Sequence, residues 1–289
     1  MIRVGVAGWD YADWRGIVYP SPERRLDRLA YLSGFVDVIE INSTFYRPVA
    51  PSVAASWVRR VERRPDFRFT AKAHRSWTHE RAAEPCPSVA PTLEGLLPLL
   101  EAGRLGGLLL QLPHSARFGP AVRERLDRLL DRLGGWPVAI EVRHNSWSGE
   151  EAHAWFRERA TGWCWVDQPA AASSSLAALV RVTSPLAYMR LHGRNVADWF
   201  RPDAGRDARY DYLYSEDELR RVIPAARALE AGAESLYVIQ NNHFRGQALV
   251  NALQMKRLLA GGRPPAPASL VAAYPFLDPI VTAERLGLF

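Results

Sequence analysis

The sequence predicts an α/β fold, a single (β/α)8 barrel, and three observations predict it. Eight apolar runs of strand length alternate with helical patterns along the chain. Most of these runs are apolar on both faces, as in parallel strands covered on both sides by helices. Connections from helix to strand are short, such as 64–66, 134–137 and 161–162, whereas several from strand to helix are long, at 9–22, 75–90 and 193–214. In a TIM barrel the long loops rise from the carboxyl ends of the strands, which is the functional face. A doubly wound open sheet shares the alternation, because periodicity does not show closure. The expected organisation is one domain over residues 1–289, with a barrel core at 1–260 and a C-terminal extension at 261–289 that packs on its surface.

The strands are placed near 2–8, 36–42, 67–74, 106–112, 137–143, 162–167, 186–192 and 235–241. Between them, residues 120–133 carry Val122, Leu126, Leu129, Leu130 and Leu133 on one helical face, with Gly134 in position to close the helix. Ser148 with Glu151, and Ser215 with Glu218, have the spacing of capping boxes. Pro51 and Pro91 suit the first turns of helices. A helix from Leu219 to Ala231 ends at Gly232, and a weakly marked sixth helix is expected around 173–182. The stretch GGRPPAPAS after Gly261 breaks the last helix.

Composition bounds the function. A hydrophobic share of 48% over 289 residues is that of a globular protein. No long apolar stretch suggests a membrane span, and the opening MIRVGVAG runs directly into a strand without a signal-peptide pattern. Cys86 and Cys164 have no metal-type spacing and form no disulfide framework, so a cytoplasmic location is expected. The net charge of +6 and isoelectric point near 9.6 allow attraction to polyanions, but the basic residues are spread along the whole chain.

Four apolar strands turn charged only at their ends: VDVIEIN, FRFTAKAH, PVAIEVRH and LAYMRLHG. Side chains alternate across a strand, so Glu40 shares a face with Asn42, Lys72 with His74, Glu141 with Arg143, and Arg190 with His192. The strand ends together supply Glu40, Asn42, Lys72, His74, Gln111, Glu141, Arg143, Asp167, Arg190, His192, Asn241 and Asn242. Three carboxylates and three permanent cations could neutralise one another as a buried network. Such a network returns little stability for its desolvation, which makes a functional site the better explanation. Lys72 stands out further. Of 37 basic residues only Lys72 and Lys256 are lysine, and lysine and arginine are chemically unlike. Lys256 reads as a surface residue near the end of the last helix.

Three chemistries suit this set. Glu40 or Glu141 could move protons while Lys72, Arg143 and Arg190 hold a carboxylate, enolate or phosphate. Lys72 could form a Schiff base with a carbonyl substrate. His74, Glu141, Asp167 and His192 have the ligand types for a divalent metal, although the neighbouring cations oppose one. The loops add aromatic residues: Trp9, Tyr11, Trp14, Tyr19, Phe45, Tyr46, Trp77, Trp147, Trp199, Phe200, Tyr210, Tyr212 and Tyr214. They could stack on a ligand or pin a lid, whereas Trp57, Trp155, Trp163 and Trp165 read as core. No Walker loop, GxGxxG, GxSxG or CxxC motif is present.

The segments GWDYADWRGIVYP, VIEINSTFY, FRFTAKAHRSWTH, LLLQLP, AIEVRHNSW, YMRLHGRN and YVIQNNHFRGQALVNAL occur in order from Val4 to about Leu253. In them the chain resembles the YecE-like family, catalogued as domain of unknown function 72. The resemblance implies a TIM barrel. It maps the family's recurrent residues onto Trp9, Glu40, Asn42, Tyr46, Lys72, His79, Gln111, Glu141, Arg143, Trp147, Asp167, Arg190, His192, Gly193, Asn241 and Asn242. Val6 and Ala7 stand where relatives commonly carry small hydroxyl residues. The resemblance implies no reaction, and the likeness of such barrels to endonuclease IV and sugar isomerases concerns the fold alone.

The leading expectation is therefore an enzyme that binds a small anionic or phosphorylated organic ligand at the barrel mouth. Glu40, Lys72 and Glu141 are its candidate catalytic residues. Trp9, Asn42, Tyr46, His74, Gln111, Arg143, Trp147, Asp167, Arg190, His192, Asn241 and Asn242 are its candidate ligand-binding residues. No cofactor is expected, and a divalent metal is the alternative. A nucleic-acid-binding protein or metal-dependent phosphodiesterase, and a non-catalytic ligand sensor, are the competing readings; oligomeric state is not legible.

Overall fold

Eight strands, β1 Ile2–Ala7, β2 Val38–Ile41, β3 Arg68–Lys72, β4 Leu105–Gln111, β5 Val138–Glu141, β6 Gly162–Asp167, β7 Leu186–Leu191 and β8 Ser235–Gln240, form a closed parallel barrel in chain order. Closure is made by β8, which pairs with β1 from Ile2↔Leu236 to Val6↔Gln240. The coordinates are a computed structural model that describes residues 1–21, 26–79, 88–169, 174–199, 201, 203 and 205–284. Cys86 and Phe200 lie outside the described residues.

The helices are α1 Arg28–Leu32, α2 Pro51–Arg60, α3 Arg75–Thr78, α4 Val89–Glu101, α5 Pro120–Arg132, α6 Glu150–Glu158, α7 Val196–Trp199, α8 Arg206–Arg209, α9 Glu216–Gly232, α10 Gln247–Ala260 and α11 Ala268–Ala273. Their starts follow from local chemistry. Pro51 and Pro120 open α2 and α5, where the missing N–H is not needed. At α9, Ser215 accepts from the Glu218 N–H while Glu218 accepts from the Ser215 N–H, a complete capping box followed by three acidic residues in the first turn.

Alternation along the strands separates two apolar layers. Val38, Leu109, Ala139, Cys164, Tyr188 and Ile239 belong to one buried cluster inside the barrel, whereas Ile39, Leu108, Leu110, Ile140, Trp163, Met189 and Val238 pack with the helices outside. Two residues further along the inward faces stand Glu40, Gln111, Glu141, Arg190 and Asn241, and Lys72 follows Thr70 in the same way. Small residues let the strands and the interior rings fit. A Cβ on Gly5 would lie 1.7 Å from the Val38 carbonyl oxygen, so β1 approaches β2 only with glycine there.

Several details depart from the sequence expectation. No helix occupies 174–185. Instead the segment is irregular, with the Asn145 N–H donating to the Ser174 carbonyl (2.8 Å) and the Leu176 N–H to the Arg143 carbonyl (2.9 Å). Serines compete for backbone hydrogen bonds and disfavour helix interiors, and here the backbone finds a partner in the loop after β5. Ser148 does not cap the start of α6. Helix α6 starts from Gly149, and the Ser148 carbonyl accepts from Arg181 Nη2 at 2.6 Å. Helix α5 closes at Leu133, and the left-handed residue is Gly135 (φ 82°) rather than Gly134. Lys256 is not a free surface residue. Its ammonium donates to Asp37 Oδ1 at 2.8 Å and to the Phe35 carbonyl at 3.2 Å, tying α10 to the segment entering β2.

The extension crosses the outer wall beside the first and last loops. Leu270, Leu277 and Val281 are fully buried, Ser269 Oγ donates to the Val18 carbonyl, and β9 Pro265–Pro267 pairs with β10 Thr282–Glu284. No helix among the described residues is long and apolar enough to cross a membrane.

Candidate functional site

Register places the charged strand ends side by side. Glu40 pairs with Thr70, Lys72 with Leu109, Gln111 with Glu141, and Arg190 with Ile239. The four predicted charges on β2, β3, β5 and β7 therefore meet at one end of the barrel.

Arg190 is the hub. Its guanidinium is almost wholly buried and donates to Glu40 Oε1 at 2.7 Å, to Glu141 Oε2 at 2.6 Å and to Gln111 Oε1 at 3.1 Å. Glu40 and Glu141 are themselves fully buried. Glu40 also accepts from the Tyr188 hydroxyl at 2.8 Å, and Glu141 from Arg143 Nε at 2.9 Å. Burial by itself would raise the Glu141 pKa, yet Arg190, Arg143 and His192 hold it well below the ordinary carboxylate range. Glu141 is thus a fixed anion and a poor proton donor.

His192 lies behind this pair, with Nε2 3.4 Å from Glu141 Oε1 and Nδ1 2.8 Å from Asn241 Nδ2. The amide hydrogen on Nδ1 places the ring proton on Nε2, facing Glu141. Burial, reinforced by Arg190 and Arg143, outweighs Glu141 and pushes its pKa down to about 3, so the ring is neutral.

Above the network opens a cavity of about 170 Å³, lined by Tyr11, Asn42, Phe45, Tyr46, Lys72, Gln111, Arg190, Tyr210, Asn241 and His243. Lys72 enters from β3 with its Nζ 3.9 Å from the centre of the Phe45 ring. Its ammonium has no hydrogen bond or ion pair among the described residues, while its backbone carbonyl accepts from the Thr44 hydroxyl at 2.7 Å. Burial and then Arg190 push its pKa down to about 8, against the opposing pull of Glu40 and Glu141. The charges nearest the cavity therefore do not cancel. Among the described residues, Glu40 and Glu141 match Arg190 and Arg143, and Lys72 is the surplus cation.

Among the predicted residues, Asn42, Tyr46, Lys72, Gln111, Arg190 and Asn241 line the cavity, and Glu40, Glu141, Arg143 and His192 form the layer supporting it. The remaining five stand elsewhere. Trp147 is fully buried and donates to the Ala116 carbonyl, so it is core and not a ligand wall. Trp9 packs edge-on against Trp57. His74 caps α3 through Ser76 and reaches the Tyr46 carbonyl. Asp167 is held by Arg194 (2.9 Å) and the Tyr214 hydroxyl (2.6 Å), which pins the seventh loop. Asn242 donates to the Tyr212 carbonyl and to Asn251, both at 2.7 Å. His74, Glu141, Asp167 and His192 are accordingly not brought together as a ligand set, and among the described residues no group of three or more His, Cys, Asp or Glu is arranged to hold a metal.

Tyr11, Phe45 and Tyr210 come from aromatic loops without having been singled out as site residues. His243 was missed altogether. It stacks on Tyr11 with ring centres 4.5 Å apart, and its backbone carbonyl accepts from Trp14 Nε1. The signal was its place, two residues beyond Asn241 in the turn that follows β8.

Residues 3–271 match the family model described as "Protein of unknown function DUF72". The chain is 28% identical over 274 residues to the UPF0759 protein YunF of Bacillus subtilis strain 168, covering 90% of this chain and 95% of that protein. It is similar to the crystal structure of a DUF72 family protein from Thermotoga maritima MSB8, with TM-score 0.77, 33% identity and coverage of 90% and 99%. A DUF72 family protein from Enterococcus faecalis V583 gives TM-score 0.79 at 25% identity, covering 90% and 95%. An eight-stranded parallel barrel with this site at its mouth and this likeness over its length belongs to the DUF72 family of proteins of unknown function.

Proposed function

We propose that the barrel mouth binds a small anionic organic molecule and that Lys72 is the group acting on it. One observation carries this reading: Glu40 and Glu141 are both committed to Arg190, so among the described residues Lys72 is the uncompensated cation facing the cavity. The carboxylates expected to exchange protons with a ligand instead hold the guanidinium and set the field around the amine. With a pKa of about 8, Lys72 can give or take a proton near neutral pH, where an ordinary lysine remains charged. A cavity of about 170 Å³ suits a compact acid better than a nucleotide.

The test is calorimetric titration of the protein with pyruvate and with inorganic phosphate, repeated with Lys72→Met. A charge-assisted hydrogen bond is worth about 1.5–3 kcal/mol, so the variant is expected to bind roughly ten- to a hundredfold more weakly. Undiminished binding by Lys72→Met, or none by the unaltered protein, overturns the reading. The competing nucleic-acid reading draws on the net charge of +6 and on Tyr46, which is 65% exposed at the cavity rim. Oligonucleotide binding that weakens steeply with salt would favour it instead.

A further inference from the structure

We propose that Lys72 captures its ligand covalently as a protonated Schiff base, which makes the substrate class a small carbonyl compound carrying an acid group. The inference rests on the anion-binding reading of the same cavity and adds the bond that forms there.

The geometry supports a nucleophilic amine. Lysine ammonium groups are ordinarily held by carboxylates or carbonyls, as Lys256 is by Asp37 and the Phe35 carbonyl. Lys72 has no such partner among the described residues, and its nitrogen faces an aromatic ring and a cavity. An amine without hydrogen-bonding acceptors keeps its lone pair available once the proton leaves. The depressed pKa supplies the neutral form at a usable fraction near neutral pH.

The step balances without any redox partner. The ammonium gives up one proton, and the nitrogen lone pair attacks the carbonyl carbon, forming the C–N bond as the C=O π pair moves to oxygen. The oxygen takes that proton. The carbinolamine nitrogen then uses its lone pair to form C=N while the hydroxyl leaves as water, carrying a second proton that came from nitrogen. The sum is ammonium plus carbonyl giving iminium plus water, and the charge at the site stays +1. The fixed positive charge remains over the Phe45 ring and in the field of Glu40 and Glu141, so the network that tolerates the ammonium also tolerates the iminium. An iminium withdraws electrons from the adjacent carbon, as carbon–carbon cleavage or α-proton removal requires.

The composition provides an internal control, because Lys72 and Lys256 are the only lysines. Purified protein is incubated with pyruvate, glyoxylate or dihydroxyacetone phosphate, reduced with borohydride, digested and mapped by mass spectrometry. The expected result is a reduced adduct with at least one of these probes on the Lys72 peptide, absent from the Lys256 peptide and absent in Lys72→Arg. Adduct yield is expected to rise between pH 6 and 8 as the amine loses its proton. Circular dichroism of Lys72→Arg separates loss of the amine from loss of the fold. Absence of a Lys72 adduct with all three probes, or equal labelling of Lys256, overturns the inference. Its failure is distinguishable from failure of the anion reading. Saturable pyruvate binding without an adduct leaves anion binding standing and removes the Schiff base. Labelling by neutral acetaldehyde as efficient as by pyruvate, with no protection by phosphate, retains the covalent step and removes the anion preference.

Discussion

Replacing Lys72 by methionine is expected to stabilise the protein at neutral pH. The ammonium is set beside Arg190 in a poorly solvated cavity, and its pKa falls from 10.5 to about 8. Each pKa unit corresponds to about 1.4 kcal/mol, so holding the charged form in the fold costs about 3 kcal/mol relative to the unfolded chain. The sign sets the pH window. Because the folded pKa lies below the unfolded one, the cost is complete below about pH 8, where both states are protonated. It fades between pH 8 and 10.5, where the unfolded chain still binds the proton and the fold does not, so stability rises with pH in this window. Methionine has similar length and no charge. Urea unfolding of Lys72→Met and the unaltered protein is therefore expected to differ by about 3 kcal/mol at pH 7, with unchanged denaturant slope, and to converge toward pH 10.5. A variant that is less stable at pH 7, or whose difference stays flat from pH 7 to 10.5, refutes the reasoning. Stability gained at the loss of ligand binding is what a strained functional group predicts.

Arg190→Met is expected to destabilise by about 3–5 kcal/mol in the same assay, because it leaves Glu40 and Glu141 buried without their shared cation; adding Glu40→Gln and Glu141→Gln should restore part of it. Acidification should weaken the fold in two stages read by thermal melts. Below pH 6.5 the unfolded chain protonates His192 while the fold, with a pKa of about 3, does not; below pH 4.5 the depressed Glu141 pKa adds a second loss. His192→Gln should shrink the first stage, leaving the part that comes from His79 and His144, whose pKa values burial also lowers. Gly5→Ala puts a carbon 1.7 Å from the Val38 carbonyl oxygen and is expected to cost several kcal/mol, seen as loss of soluble protein or a sharply lowered melting temperature.

The face of the barrel was legible because it depends on short-range regularities. A charge at the end of an apolar strand is visible in one segment, and alternation says which neighbours share its side; Lys72, Gln111, Arg190 and Asn241 were found this way and line the cavity. Residues chosen because they were aromatic or polar and near a strand end fared differently. Trp147 and Asn242 occupy the same sequence neighbourhoods as true lining residues, yet one packs into the core and the other braces Asn251. Local pattern does not tell whether a loop side chain turns inward to the wall or out over the mouth. The sixth helix failed for a related reason, since residues 174–176 found their hydrogen bonds in a distant loop.

By itself the sequence determined the number of the strands, the helix starts at Ser215 and Pro51, the strand ends that carry charge, and the singularity of Lys72. These follow from backbone periodicity and composition, which act over a few residues. Only the tertiary structure decided how the charges are shared. Whether Glu40 meets Arg190 or Lys72 is set by register and by ångström-scale placement across residues 150 positions apart, and electrostatic energy changes steeply over that distance. Closure of the barrel assigned both carboxylates to Arg190 and left the amine of Lys72 facing the cavity.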